Sequence, residues 1–496
     1  MERINHWIGG KLVPGESGRT GPVYNPATGR QVYEVDFASV EEVDGAVEAA
    51  KEAFPAWRAT SLSKRTDIMF RLRELIDSHK RDLGLLVTEQ HGKVLSDAMG
   101  EVSRGLENIE FACGVAHLMK GGYSEQAATG VDVYSIRQPL GVVAGLTPFN
   151  FPAMVPMWMF SNAIAVGNCF ILKPSEKDPG ASLLIAELVK EAGVPDGVFS
   201  VVQGDKVAVD RLLEHPDVKA LSFVGSTPIA RYVYETGTKN KKRVQALAGA
   251  KNHMVVLPDA DIGMAADAAV SAAYGSAGER CMAIAVLVAV GDIAEPLMEA
   301  IEERIPKVRI GDGMDPESEM GPLVTREHRD RVASYMDSAR EQGATVRVDG
   351  RENPLYDGDG FFIGVSLIDH ATEEMDCYTD EIFGPVLTVV RVDTYDEALR
   401  LVNENPWGNG TALFTRDGGA ARQFTFDCEA GMVGINVPIP VPVGYYSFGG
   451  WKDSLFGDSH MYGPEGVHFW TKGKVVTERW PDPSTSKVDL GFPRTR

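Results

Sequence analysis

The sequence predicts an α/β protein built around parallel sheets of the dinucleotide-binding type. Short apolar runs, LGVVAGL (140–146), CFILK (169–173), VFSVVQG (198–204) and ALSFVG (220–225), read as strands buried on both faces. ASLLIAELVKEAG, VAVDRLLEH and IARYVYETG lie between them with helical spacing, the alternation of a doubly wound sheet. A second alternating block, from HMVVLP (253–258) through MAIAVLVAV, FFIGVSLI and PVLTVVRV to MVGINV, predicts a second α/β unit. The chain has 496 residues, 44% hydrophobic and 24% charged, enough for two or three domains with large cores.

The remaining elements follow in chain order. The first hundred or so residues read as mainly helical after a small hairpin around residues 7–11. Ser39-Val40-Glu41-Glu42 is a capping box, and Val43, Ala46, Val47 and Ala50 follow at helical spacing. Further helix is predicted over 66–86 and from Ser96 to about Lys120. VDVYSIR (131–137) alternates like an exposed strand, and KVVTERW (474–480) is a second short strand able to pair with it, within the chain or across a subunit boundary.

Composition excludes some functions. A formal charge of −21 argues against polyanionic partners, both nucleic acid and anionic membrane, and an anionic substrate would need local Arg or Lys. Residues 138–172 carry no charge, but four prolines and Asn150, Asn162 and Asn168 make a strand, a turn and a buried helix a better reading than a membrane span. The start, MERINHWIGGKLVPG, has no apolar signal core, which predicts a cytoplasmic protein. Cys113, Cys169, Cys281, Cys377 and Cys428 form no CxxC pair and no metal-ligand spacing, so free thiols in a reduced compartment and no metal are expected.

No phosphate loop, HExxH or GxSxG elbow is present. The loop GSTPIA (225–230) departs from GxGxxG and reads equally as a strand-to-helix turn capped by Ser226 or Thr227. Cys281, in GSAGERCMA (275–283), has small neighbours that leave room for a substrate and Arg280 beside it to favour a thiolate. On spacing alone it also reads as a small buried hydrophobe. Asn150, in TPFNFP, is an amide at a strand's carboxyl end, suited either to a turn or to stabilising an oxyanion. His253, in KNH, reads as a satisfied core histidine.

Taken together, TPFNFP, ILKPSE (171–176), FVGST, GAKNH, GERC and EIFGP (381–385) resemble the aldehyde dehydrogenase superfamily in order and spacing, over about residues 5–480. PFNFPAMVPMWMF, QALAGAKNH, GSAGERCMA and GINVPIPVP are most similar to its CoA-acylating methylmalonate/malonate-semialdehyde dehydrogenases. The resemblance implies a Rossmann-type NAD-binding domain (1–122 and 139–248), a catalytic domain (249–461), and a small β oligomerisation arm and tail (123–138 and 462–496). It implies Cys281 as nucleophile and Asn150 as oxyanion amide, acting with the Cys281 backbone N–H. NAD contacts are implied for Lys173 and Glu176 at the adenine ribose, Ser226 near the pyrophosphate, Glu381 at the nicotinamide ribose with Phe383 packing nearby, and for Gly225, Thr147 and Phe149. Arg104 and Arg280 match substrate-binding arginines.

One departure from the wider superfamily bears on the reaction. Hydrolytic members carry ELGGK, whose Glu activates water, whereas this chain has LAGAK (247–251), with Leu247 in that place. Glu279 is the nearest substitute carboxylate. The resemblance therefore implies oxidation of methylmalonate or malonate semialdehyde, with NAD as acceptor and coenzyme A as co-substrate, to propionyl-CoA or acetyl-CoA with loss of CO2. The alternatives are a hydrolytic dehydrogenase releasing a free acid and, more distantly, a non-catalytic member of the fold. Phe151, Met154, Trp158 and Phe448 are candidates for the pocket wall, and a homotetramer joined through the 131–137 and 474–480 strands is the expected assembly.

Overall fold

A computed structural model describes residues 2–485, 487–488 and 490–491. Its first sheet has eight strands in the order Leu455–Phe456, Arg243–Leu247, Val218–Val224, Val142–Leu146, Cys169–Lys173, Phe199–Val201, His6–Ile8 and Lys11–Val13. The pairs among the five strands from Arg243–Leu247 to Phe199–Val201 are parallel, and antiparallel strands close both rims. Strand order reverses at Val142–Leu146, whose neighbours on either side come later in the chain. Leu146 pairs in register with Lys173 on one side and Phe223 on the other. The loops after these strands therefore open from one edge at the switch point, where such sheets form their ligand crevice.

The charge-free stretch owes its composition to burial. Every residue of the Met154–Ala165 helix is buried, so no solvated face exists to carry a charge. The second sheet has seven strands, ordered Thr345–Val348, Ser366–Asp369, Val386–Val392, Ile284–Val290, Asn252–Val256, Gly410–Phe414 and Met432–Ile435. Only its first pair is antiparallel. Each sheet centres its own large apolar core.

The third sheet is antiparallel, with half-buried Val131–Pro139 between the more exposed Thr471–Glu478 and Tyr123–Ala128. Its first two strands pair within the chain, from Thr471 opposite Pro139 to Glu478 opposite Asp132.

Some expectations need correction. The amino-terminal region is less helical than its sequence reads, because Glu2–Ile4, Thr20–Asn25 and Arg30–Asp36 form a small sheet around Ile4, Val23 and Val35. The helix expected over 66–86 is two helices, Leu62–Ser78 and Lys80–His91, parted at His79. That expected from Ser96 to Lys120 stops at Cys113, with a short Val115–Leu118 turn after Gly114. The Gly463–Phe469 helix, expected with the arm and tail, places Val467, Phe469 and the following Trp470 in the first core. The Leu455–Phe456 strand, expected with the catalytic unit, pairs with Arg243–Leu247 of the first sheet. Residues 486, 489 and 492–496 of the expected tail lie outside the described residues.

Candidate active site

The turn after Val142–Leu146 carries Asn150. Thr147 N donates to Lys173 O at 3.1 Å, tying the turn to the neighbouring strand end. Asn150 Nδ2 donates to Glu279 O at 3.1 Å, and its own carbonyl accepts from Lys93 Nζ at 2.6 Å. Lys93 also pairs with Glu101 at 2.7 Å and lies 4.3 Å from the Phe151 ring centroid. Glu101 Oε1 accepts from Ala153 N at 2.8 Å and Met154 N at 3.1 Å, at the start of the Met154–Ala165 helix, which has no side-chain cap of its own. Sequence reasoning missed Lys93 and Glu101, because nothing in their spacing distinguishes a buried pair from a solvated helix pair.

Cys281 lies between the Ile262–Tyr274 helix and the Ile284–Val290 strand, after a tight turn in which Ser276 and Ala277 have φ of 54° and 52°. Such left-handed backbone at non-glycine residues is uncommon and strained. Gly278 (φ 73°) must be glycine, since a Cβ there would collide with the carbonyl of Gly384 in the EIFGP turn. The Cys281 carbonyl accepts from Asn252 Nδ2 at 2.9 Å and Asn409 Nδ2 at 3.1 Å, two further anchors the sequence did not mark. Of the five cysteines, Cys281 alone is not fully buried.

Cys281 stands in the wall shared by two cavities. One, of about 560 Å³, is lined by Arg104, Arg280, Phe151, Met154, Trp158 and Phe448 among others. The other, of about 450 Å³, is lined by Phe149, Asn150, Gly225, Ser226, Glu381 and Phe383 among others. The expected pocket wall thus comes together on one side of Cys281. Much of the expected nucleotide set comes together on the other. Thr147, Lys173 and Glu176 lie outside the walls of both.

Electrostatics refine these placements. Burial pushes the Cys281 thiol up to about 12, and the Glu381 carboxylate adds to the shift. Arg280 opposes it, so the expected thiolate-favouring effect is present but smaller than the loss of solvation. Arg280 Nη2 is held by Asp97 Oδ1 at 2.7 Å. Arg104 is held by Glu107 at 2.8 Å and by Pro442 O at 2.9 Å. Asp97 and Arg104 sit seven residues apart on the Leu95–Cys113 helix and so share the face that lines the cavity.

Lys173 Nζ pairs with Glu176 Oε2 at 3.1 Å. Burial works against the Glu176 carboxylate, but Lys173 and hydrogen bonds hold its pKa below the ordinary value. Glu381 Oε1 accepts from Ala250 N at 2.9 Å, and burial raises this carboxyl to about 7. Phe149 meets Phe383 edge-on at 5.9 Å and stacks on His91 at 6.0 Å. Ser226 occupies the N-cap position of Thr227–Lys239 without a capping side-chain bond. Thr227 Oγ1 instead accepts from Gly249 N and Trp407 Nε1.

Neither candidate base position offers a carboxylate to Cys281. Leu247 is 2% exposed in the first core. The Glu279 carboxyl is fully buried, accepts from Val324 N at 3.3 Å, and lines neither cavity. His253 is a satisfied core histidine, with Nδ1 2.7 Å from Lys251 O and Nε2 3.0 Å from Tyr378 Oη.

The chain is 52% identical to a malonate-semialdehyde dehydrogenase of Pseudomonas aeruginosa, over 99% of this chain and 100% of that one. It is 47% identical to malonate-semialdehyde dehydrogenase 2 of Geobacillus kaustophilus, over 97% and 99%. The solved methylmalonate-semialdehyde dehydrogenase of Oceanimonas doudoroffii matches with a TM-score of 0.96 and 53% identity, over 98% and 99%. A Sinorhizobium meliloti chain provisionally described as a methylmalonate-semialdehyde dehydrogenase, and complexed with NAD, matches with a TM-score of 0.96 and 51% identity, over 98% and 99%. With the aldehyde dehydrogenase family model also matching residues 12–476, the chain belongs to the aldehyde dehydrogenase family.

Proposed function

We propose that this chain oxidises methylmalonate semialdehyde or malonate semialdehyde with NAD, and transfers the acyl group to coenzyme A with loss of CO2. The observation that carries the reading is the position of Cys281 between two cavities, one with two arginines among Phe151, Met154, Trp158 and Phe448 and one with much of the expected nucleotide set, while Leu247 occupies the place of the water-activating base. The names of the relatives at 47–52% identity support the substrate class.

The residues present fit NAD. The Lys173–Glu176 pair suits a ribose diol, with Glu176 disfavouring a 2′-phosphate. The uncapped start of Thr227–Lys239 beside Gly225 and Ser226 suits a pyrophosphate. The buried Thr147 hydroxyl without a hydrogen-bond partner lies near that edge, and Phe149, Glu381 and Phe383 serve the nicotinamide end. When bound, NAD supplies the hydride acceptor.

The chain's own residues do the rest. Cys281 Sγ gives its proton to solvent water and bonds to the aldehyde carbon, while the carbonyl electron pair moves onto oxygen. Asn150 Nδ2 and the Cys281 N–H hold that oxyanion. Arg104 and Arg280 hold the substrate carboxylate, their guanidinium forks suiting it bidentately. After oxidation the acyl thioester carries a carboxylate β to its carbonyl. Loss of CO2 leaves an enolate whose oxygen the same donors stabilise, and protonation at carbon completes the propionyl or acetyl thioester. With Leu247 in the place of the water-activating base, the CoA thiolate takes the acyl group and Cys281 is released.

The proposal extends to a cytoplasmic homotetramer. The five free cysteines support the compartment, and the open arm sheet, with Tyr123 and Val475 exposed, supports the assembly. The decisive experiment measures NADH formation from both semialdehydes with and without CoA and identifies the product. Acetyl-CoA or propionyl-CoA formed only with CoA is the expected result. CoA-independent release of a free acid would instead mean that another group activates water.

A further inference from the structure

The turn bearing Asn150 is clamped from behind by two charged residues that no step above uses. Lys93 and Glu101 have no side-chain exposure and pair at 2.7 Å. Lys93 bonds the Asn150 carbonyl at 2.6 Å, and Glu101 bonds the amides of Ala153 and Met154 at 2.8 and 3.1 Å. The pair therefore grips residues 150–154 at both ends. The clamp is itself anchored. Gly92, with φ of 96°, ends the Lys80–His91 helix and turns Lys93 inward. Gly313 and Gly321 press so close to the carbonyls of Lys93 and Gly92 that neither position has room for a Cβ.

We infer that Lys93 and Glu101 are positioning residues that aim the Asn150 amide, an inference resting on the reading of Asn150 as the oxyanion donor. Three features carry it. Neither side chain is exposed, although Glu101 belongs to the wall of the cavity of about 560 Å³, and a buried ion pair is a poor way to gain stability compared with apolar packing. Its bonds converge on the backbone of one turn rather than on each other alone. The same turn sends Asn150 Nδ2 to the carbonyl of Glu279, two residues before Cys281, so an error in its placement moves the amide relative to the nucleophile.

The test is a cycle of variants in the full-length enzyme, read by the rate of the pre-steady-state NADH burst and by NAD affinity. Lys93→Met/Glu101→Gln removes both charges together, so no buried charge is left alone. Its burst rate should fall about 10–100-fold, the cost of a small misplacement, while NAD affinity stays within about twofold. Lys93→Arg, which keeps the charge and a donor, should recover most of the rate. Asn150→Ala should lose about 10²–10³-fold, and adding the Met/Gln pair to it should cost little more. An unchanged burst rate in the Met/Gln enzyme, or losses that multiply in the combined variant, overturns the inference alone. A normal burst rate in Asn150→Ala overturns the oxyanion reading and the inference with it. If the Met/Gln enzyme does not fold, Glu101→Asp, which withdraws the carboxylate by one methylene, serves in the same cycle with the same outcomes.

Discussion

The side-chain amide of Asn150 donates to the backbone carbonyl of Glu279 at 3.1 Å, so the turn from the first sheet and the loop entering the second are fastened together two residues before Cys281. The candidate donor and nucleophile come from different sheets, and this bond sets the distance between them.

Replacing Cys281 with Ala should abolish NADH formation, by at least about 10³-fold, while NAD binding persists, because the nucleophile acts in chemistry and not in nucleotide recognition. Burst kinetics and a fluorescence titration with NAD check the two halves. Normal turnover in Cys281→Ala would remove the nucleophile assignment.

Leu247→Glu should raise the share of free acid over acyl-CoA, by placing a carboxylate where the family's hydrolytic members carry their base. Burying that carboxyl at a site 2% exposed should also lower Tm. Product analysis at limiting CoA reads the partition. An unchanged acid yield in a folded variant would sink the explanation of Leu247.

Arg104 reaches the apolar cavity while held by Glu107 and the carbonyls of residues 441 and 442. Arg104→Met should raise KM for either carboxylated semialdehyde about 10–100-fold, matching the loss of a charged hydrogen bond of about 1.5–3 kcal/mol. Propanal, which lacks the carboxylate, should be oxidised with little change. Equal losses on both substrates would mean that Arg104 only shapes the fold.

The free enzyme's thiol should alkylate faster as pH rises. With burial and the Glu381 carboxylate raising its pKa to about 12, Cys281 is protonated at neutral pH. Its thiolate fraction then grows about tenfold per pH unit. Iodoacetamide inactivation measured from pH 6 to 9 should therefore climb without levelling. A plateau below pH 8 would show a thiol far more acidic than its surroundings dictate.

The sequence revealed most where one physical cause dominates. Continuous apolar strands such as CFILK can only be buried on both faces, and all five residues of Cys169–Lys173 are. The loops that bear Cys281 and Asn150 were legible because small residues, a proline-rich turn and neighbouring motifs mark them. The Thr20–Asn25 and Arg30–Asp36 hairpin escaped notice because intermediate burial gives it a weak alternating pattern. Lys93, Glu101, Asn252 and Asn409 were invisible for another reason. Their importance lies in partners 8 to 158 positions away, a relation that only the folded chain displays.

The wholly buried Met154–Ala165 helix has a consequence for the order in which the protein is made. Its partner helix, Leu95–Cys113, leaves the ribosome earlier, so one side of the helix finds cover as it emerges. Trp158, however, packs its ring 5.0 Å from Phe448 and 5.2 Å from Tyr462, which are translated about three hundred residues later. Until then a tryptophan-bearing apolar surface stands open on the nascent chain. The cover of this side of Trp158 is thus complete only after the last segments have been made.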